Sequence, residues 1–78
     1  MNTKQRADKT LAYLGSERGL ANWKANAERW KGYKGRGSVF EFNLFAAVQT
    51  ATRLIKYERV WEVIDEIKRR WSQGRRAA

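Results

Sequence analysis

Four carboxylates, Glu58, Glu62, Asp65 and Glu66, fall within nine residues near the end of this chain, and they are the first place to look for chemistry. Such a cluster could ligate a divalent metal or divide acid and base roles. Its spacing from Arg59, Arg69 and Arg70, however, is that of i,i+3 and i,i+4 ion pairs on a solvated helix face, and that reading is preferred. The chain has no histidine and no cysteine, so the commonest general base and the most reactive nucleophile are missing. Ser16 and Ser38 have no base placed beside them by the pattern. No catalytic site, metal site or cofactor is expected, and zinc-finger and disulfide-scaffold readings fall with the missing ligands.

The remaining chemistry is that of cations. Seventeen Lys and Arg against eight Asp and Glu leave a net charge of +9 on 78 residues. An excess of this size concentrates polyanions around a protein, and nucleic acid is the commonest such partner. The charge is uneven. Residues 1–40 hold nine bases and three acids, residues 41–66 three bases and five acids, and residues 67–78 five bases and no acid. A basic binding part, a near-neutral packing part and a basic tail are implied.

These side chains must be carried on one small domain, because 78 residues bury only ~60% of the surface of the unfolded chain. Self-association is the expected additional stabiliser. No signal-peptide core follows the N-terminus and no run approaches a membrane span, so a cytoplasmic protein without membrane contact is expected.

The first segment, Thr3–Leu14, reads as a helix with Ala7, Leu11 and Leu14 on one face; Gly15 stops it and Ser16 caps the next. A second helix covers residues 17–31. Stepping about 100° per residue puts Leu20, Trp23, Ala27 and Trp30 on one stripe, taken as its buried face. Arg18, Asn22, Ala25 and Arg29 lie opposite. Trp23 and Trp30 could stack on bases, but their apolar neighbours make them core residues.

The run Lys31-Gly32-Tyr33-Lys34-Gly35-Arg36-Gly37 is too rich in glycine for a packed helix. Ser38-Val39-Phe40-Glu41-Phe42-Asn43 then reads as a short β-strand, so a β-hairpin or a loop closing on a strand is expected. Residues 44–71 are helical in pattern but change phase. Leu44, Ala47, Val48, Ala51, Leu54 and Ile55 share one face. Tyr57, Val60, Trp61, Ile64, Ile67 and Trp71 share another, rotated by about 160–200° on the same wheel. Either the helix breaks around residues 56–59 or its second half meets a different partner. The second face is expected to form a homodimer interface or a cover for the first domain.

In this order, helix, tight turn, helix, basic glycine loop, strand and helix, the chain resembles the winged helix-turn-helix of phage excisionases, phage terminase small subunits and the MerR-like regulators. The residues that carry the resemblance are Leu11-Ala12-Tyr13-Leu14-Gly15, then Leu20 and Trp23, then Gly35-Arg36-Gly37-Ser38-Val39-Phe40-Glu41-Phe42, and finally Phe45-Ala46-Ala47-Val48. It covers residues 7–55, about two thirds of the chain. It implies a mainly α fold with a short β-hairpin wing, followed by a C-terminal helix. Residues 1–55 would be the nucleic-acid-binding domain, 56–72 an amphipathic dimerisation or covering helix, and 73–78 a basic disordered tail. The resemblance further implies that Arg18, Asn22 and Arg29 face the major groove while Lys31, Lys34 and Arg36 follow the backbone. Lys24 and Tyr33 complete the candidate set. Arginine can read guanine and asparagine adenine, each worth ~1–3 kcal/mol of discrimination.

The expected function is a small non-catalytic protein binding duplex DNA as a dimer, a phage or mobile-element factor acting on transcription, excision or packaging. Two rivals stand beside it. One is an inhibitor or adaptor binding a host protein through Tyr57, Trp61, Ile64 and Trp71. The other is RNA binding through the Lys31–Gly37 stretch.

Overall fold

The computed structural model describes residues 1–32 and 38–77, with side chains as far as Gln73. Four helices follow one another: α1 (Thr3–Leu14), α2 (Glu17–Arg29), α3 (Val39–Thr52) and α4 (Tyr57–Ala77). Local signals start each of the first three. Asn2 and Gln5 form a reciprocal capping box at α1: the Gln5 amide donates to Asn2 Oδ1 at 2.8 Å, and the Asn2 amide to Gln5 Oε1 at 2.9 Å. The Ser16 hydroxyl accepts from the Gly19 amide, and the Ser38 hydroxyl from the Glu41 amide, both at 3.1 Å. Each cap satisfies an amide that has no partner within its own helix.

The β-hairpin wing is not what forms. Among the described residues there is no strand, and 39–43, read above as one, are the first turns of α3. Five alternating residues cannot by themselves separate a strand from a helix. Here Ser38 and Glu41 hold the Ser-x-x-Glu spacing that starts a helix, and Asn43 carries the period of Leu44, Ala47 and Val48 back toward Val39, these four being the buried residues of α3. The glycine-rich segment 33–37, which would have supplied the rest of the wing, lies outside the described residues. At the other end α4 runs on to Ala77, so the backbone of residues 73–77 is helical where a disordered tail was expected.

The core lies where α1, α3 and α4 meet. Ala7, Leu44, Val48, Val60, Val63, Ile64 and Ile67 are fully buried, and Leu11, Leu14, Trp23, Phe45, Leu54 and Trp61 close around them. The change of phase within residues 44–71 has a simple origin. The chain leaves α3 at Thr52, Arg53 turns it through a left-handed conformation (φ 58°, ψ 21°), and α4 begins at Tyr57. The break therefore spans residues 53–56, meeting the expected 56–59 only at Lys56. It lets α4 return antiparallel to α3, with Phe45 against Tyr57 and Trp61 at one end and Phe40 against Trp71 at the other. Residues of both apolar faces thus enter one core, but Ile55, expected on the first, is 84% exposed.

Three of the six residues of the face expected to form a dimer interface or a cover are interior. Val60, Ile64 and Ile67 have no exposed surface within a single chain, so they cover their own domain and offer nothing to a second copy. Trp61 is partly buried on Phe45, while Tyr57 and Trp71 remain exposed.

Helix α2 packs on α1 and α3 and does not reach α4. Its inward residue is Gly19, which is buried, whereas Leu20 is 49% exposed and Trp30 41%. The expected Leu20–Trp30 stripe is thus rotated, with Gly19, Trp23 and Asn26 turned toward the rest of the domain. The Asn43 side-chain amide donates to the Trp23 carbonyl at 3.0 Å and ties α3 to α2. Trp23 meets Phe40 edge-on at 5.8 Å, and Trp30 stacks on Phe42 at 6.0 Å.

Candidate nucleic-acid interface

Where each charge goes decides what the surface can do. Among the described residues every ion pair uses a base from 59–70: Arg59 with Glu62, Lys68 with Glu41, Arg69 with Glu66, and Arg70 with both Asp8 and Glu66. Arg70 is the most engaged. It reaches Asp8 at 2.5 Å and the Lys4 carbonyl at 3.2 Å, clasping the end of α4 to the start of α1. The hydrogen bonds from Arg69 and then Arg70 hold the Glu66 carboxyl down at about 2, well below its ordinary 4.5. Two of the four clustered carboxylates of α4, Glu62 and Glu66, are thus held in ion pairs, and no group of three or more potential metal ligands comes together among the described residues.

The bases of α1 and α2 are arranged differently. Lys4, Arg6, Lys9, Arg18, Lys24, Arg29 and Lys31 have no carboxylate within 4.0 Å. All but Arg6 are exposed. On α1 the acid beside them, Asp8, is taken by Arg70; on α2 Glu17 and Glu28 pair with none of these bases within 4.0 Å. An unneutralised cation on an exposed helix keeps its full long-range field, limited only by salt.

Of the expected nucleic-acid set, Arg18, Asn22 and Arg29 lie within about 40° of one another around α2, as the pattern implied. Lys24 stands more than 100° away on the same wheel, nearer Glu17 and Glu28. Asn22 is already engaged, its side-chain amide donating to the Tyr13 hydroxyl at 2.7 Å, so it braces α1 against α2 instead of pointing freely outward. Lys31 is exposed just past the end of α2. Tyr33, Lys34 and Arg36 lie outside the described residues.

The fold adds two cations outside the expected set, Arg53 and Lys9. Arg53, at the left-handed end of α3, lines an open cleft together with Lys9, Tyr13, Ser16, Arg18, Thr50 and Ala51, with a volume of about 400 Å³. Three cations from three elements border it and no acid does. One local signal for Arg53 existed: a helical pattern ending without glycine or asparagine leaves some other residue to take the left-handed turn. A second, smaller crevice of about 60 Å³ also touches Tyr13 and is lined by Asn22, Trp23, Asn26 and Asn43 among others. It is uncharged, and Asn22 and Asn43 in it are hydrogen-bonded.

No helix among the described residues is long and apolar enough to cross a membrane. No family model, curated protein or solved structure matches the chain.

Proposed function

We propose that this chain is a small non-catalytic nucleic-acid-binding protein whose ligand is duplex DNA and whose role is regulatory or architectural. One observation carries the reading. Seven cations on α1, α2 and the residues just beyond have no carboxylate within 4.0 Å among the described residues: Asp8 is engaged by Arg70, and Glu17 and Glu28 form no ion pair with any of them. Phosphate neutralisation by such residues releases counterions and supplies most sequence-independent affinity. Duplex DNA is favoured over single strands because the tryptophans of α2 are engaged with α3 phenyl rings, Trp23 with Phe40 and Trp30 with Phe42, and are not a row of open stacking platforms. The adaptor reading loses Ile64, which is interior, and keeps Tyr57 and Trp71, which are exposed, with Trp61 half-buried between them.

Filter binding of a random duplex against salt is the direct test. About six phosphate contacts give a log–log slope on the order of −5. Affinity that does not change between about 50 and 200 mM salt would remove the electrostatic basis. A stoichiometric protein partner retained from nuclease-treated lysate, with no duplex binding, would replace this reading with the adaptor.

A further inference from the structure

We infer that the cleft between α1, the start of α2 and the end of α3 is the seat of a backbone phosphodiester, with Lys9, Arg18 and Arg53 as its cationic clamp. This rests on the nucleic-acid reading above and deepens it by naming where the backbone is held.

Lys9, Arg18 and Arg53 approach one concavity from three different elements, and none has a carboxylate within 4.0 Å. Three like charges gathered around one space repel one another, and an anion between them removes that repulsion. A phosphodiester offers acceptor oxygens and no donor, so the walls should present donors. Arg18, Arg53 and Lys9 have only donors. The Tyr13 hydroxyl accepts from Asn22 at 2.7 Å, which leaves its own proton to give. The Ser16 hydroxyl is already committed, donating to the Tyr13 carbonyl and accepting from Gly19. It thereby fixes the corner from which Arg18 projects.

The second observation is independent of charge. Arg53 has φ 58°, and among the described residues no other residue except glycine has a positive φ. Left-handed backbone at a helix end is where glycine, or sometimes asparagine, is ordinarily found, because an L side chain is strained there. Gly32, at φ 85°, follows that rule. Arg53 does not, and it lines the cleft. A strained residue held against its backbone preference points to a use for its side chain.

The test is fluorescence anisotropy with a labelled random DNA duplex and an RNA duplex of the same sequence, titrated between about 50 and 200 mM salt. Three variants each remove one positive charge. Arg53→Gly and Arg18→Ala alter the cleft, and Arg59→Ala removes a base that pairs with Glu62 on α4. Glycine at position 53 relaxes the backbone, so its melting temperature should hold or rise and a binding defect cannot be ascribed to unfolding. Each cleft variant is expected to lose affinity on the order of tenfold and to flatten the salt slope by about 0.9, the effect of one phosphate contact, while Arg59→Ala changes neither. If the wild type binds DNA with a steep salt dependence but both cleft variants behave like Arg59→Ala, the clamp is refuted and the DNA reading stands. Binding to RNA in preference to DNA, with the same dependence on Arg53, supports the clamp and overturns duplex DNA as the ligand. A wild type that binds neither duplex at about 50 mM salt overturns both.

Discussion

Gly19→Ala is the substitution that most directly tests how α1 and α2 are joined. In an ordinary helix interior this change stabilises by roughly 0.5–1 kcal/mol, because alanine restricts the unfolded chain more than glycine does. Here the sign should reverse. A Cβ at position 19 would lie 1.8 Å from the Tyr13 carbonyl oxygen, 2.6 Å from its carbon and 3.1 Å from the Leu14 Cα. Ordinary contact begins at 3.4 Å, so the two helices must separate by about 1.6 Å (3.4 minus 1.8). All three obstructing atoms are backbone, and no rotamer change can clear them. Overpacking of this kind costs about 1–3 kcal/mol. Taking the upper end and subtracting the helix-propensity gain leaves a net loss of about 2 kcal/mol, or ~8–16 °C in melting temperature for a domain of this size. Thermal melting followed by circular dichroism measures it. Gly15→Ala is the control, since its Cβ would meet only the Leu11 and Ala12 carbonyls at 3.6 and 3.7 Å and the backbone there is right-handed. A Gly19→Ala protein that melts at or above the wild-type temperature would refute the close α1–α2 approach.

Three further outcomes are expected. Ser38→Ala removes the oxygen that caps the Glu41 amide and should cost about 1 kcal/mol in denaturant unfolding; no loss would argue against a helix starting there. Ile64→Asp puts a carboxylate with no partner into a fully buried position, a penalty of several kcal/mol against a total stability of roughly 4–12 kcal/mol for this length. The variant should lose its native dispersion in NMR spectra, and a well-folded Ile64→Asp monomer would show that the face is not core after all. Because Glu66 is held at about 2 against its ordinary 4.5, its ion pairs contribute fully above the ordinary value and are lost as pH falls through the window toward 2. Glu66→Gln should therefore flatten the acid limb of the melting-temperature profile between those values, and an unchanged limb would contradict the pairing with Arg69 and Arg70.

Much of the local structure was legible from adjacent residues. The extent of α1, the turn at Gly15 and the cap at Ser16 follow from period, a stop and a hydroxyl, all within one or two turns of chain. The start of α3 was equally local, but its signals conflicted. The alternation Val39-Phe40-Glu41-Phe42 suits a strand, whereas Ser38 and Glu41 suit a capped helix. Packing of Phe40 between Trp23 and Trp71 is available only to the helix, and those rings come from elements 17 and 31 residues away in the chain.

What the amino-acid sequence by itself determined is composition and period. It establishes a strongly cationic chain without histidine or cysteine and carboxylates at ion-pair spacing on the last helix. It also shows two apolar faces out of phase across residues 44–71. It could not say which way α2 turns, because Leu20 and Gly19 are one residue apart and only the backbone of α1 selects the smaller one for the contact. Nor could it say that the two out-of-phase faces meet in one core, because that depends on the reversal at Arg53. The cleft is tertiary for the same reason. Lys9, Arg18 and Arg53 are separated by up to 44 residues, and charge has no periodicity that would mark them as neighbours. Apolar contacts among α1, α3 and α4 fix the backbone, and the cations are brought together as a consequence of that packing.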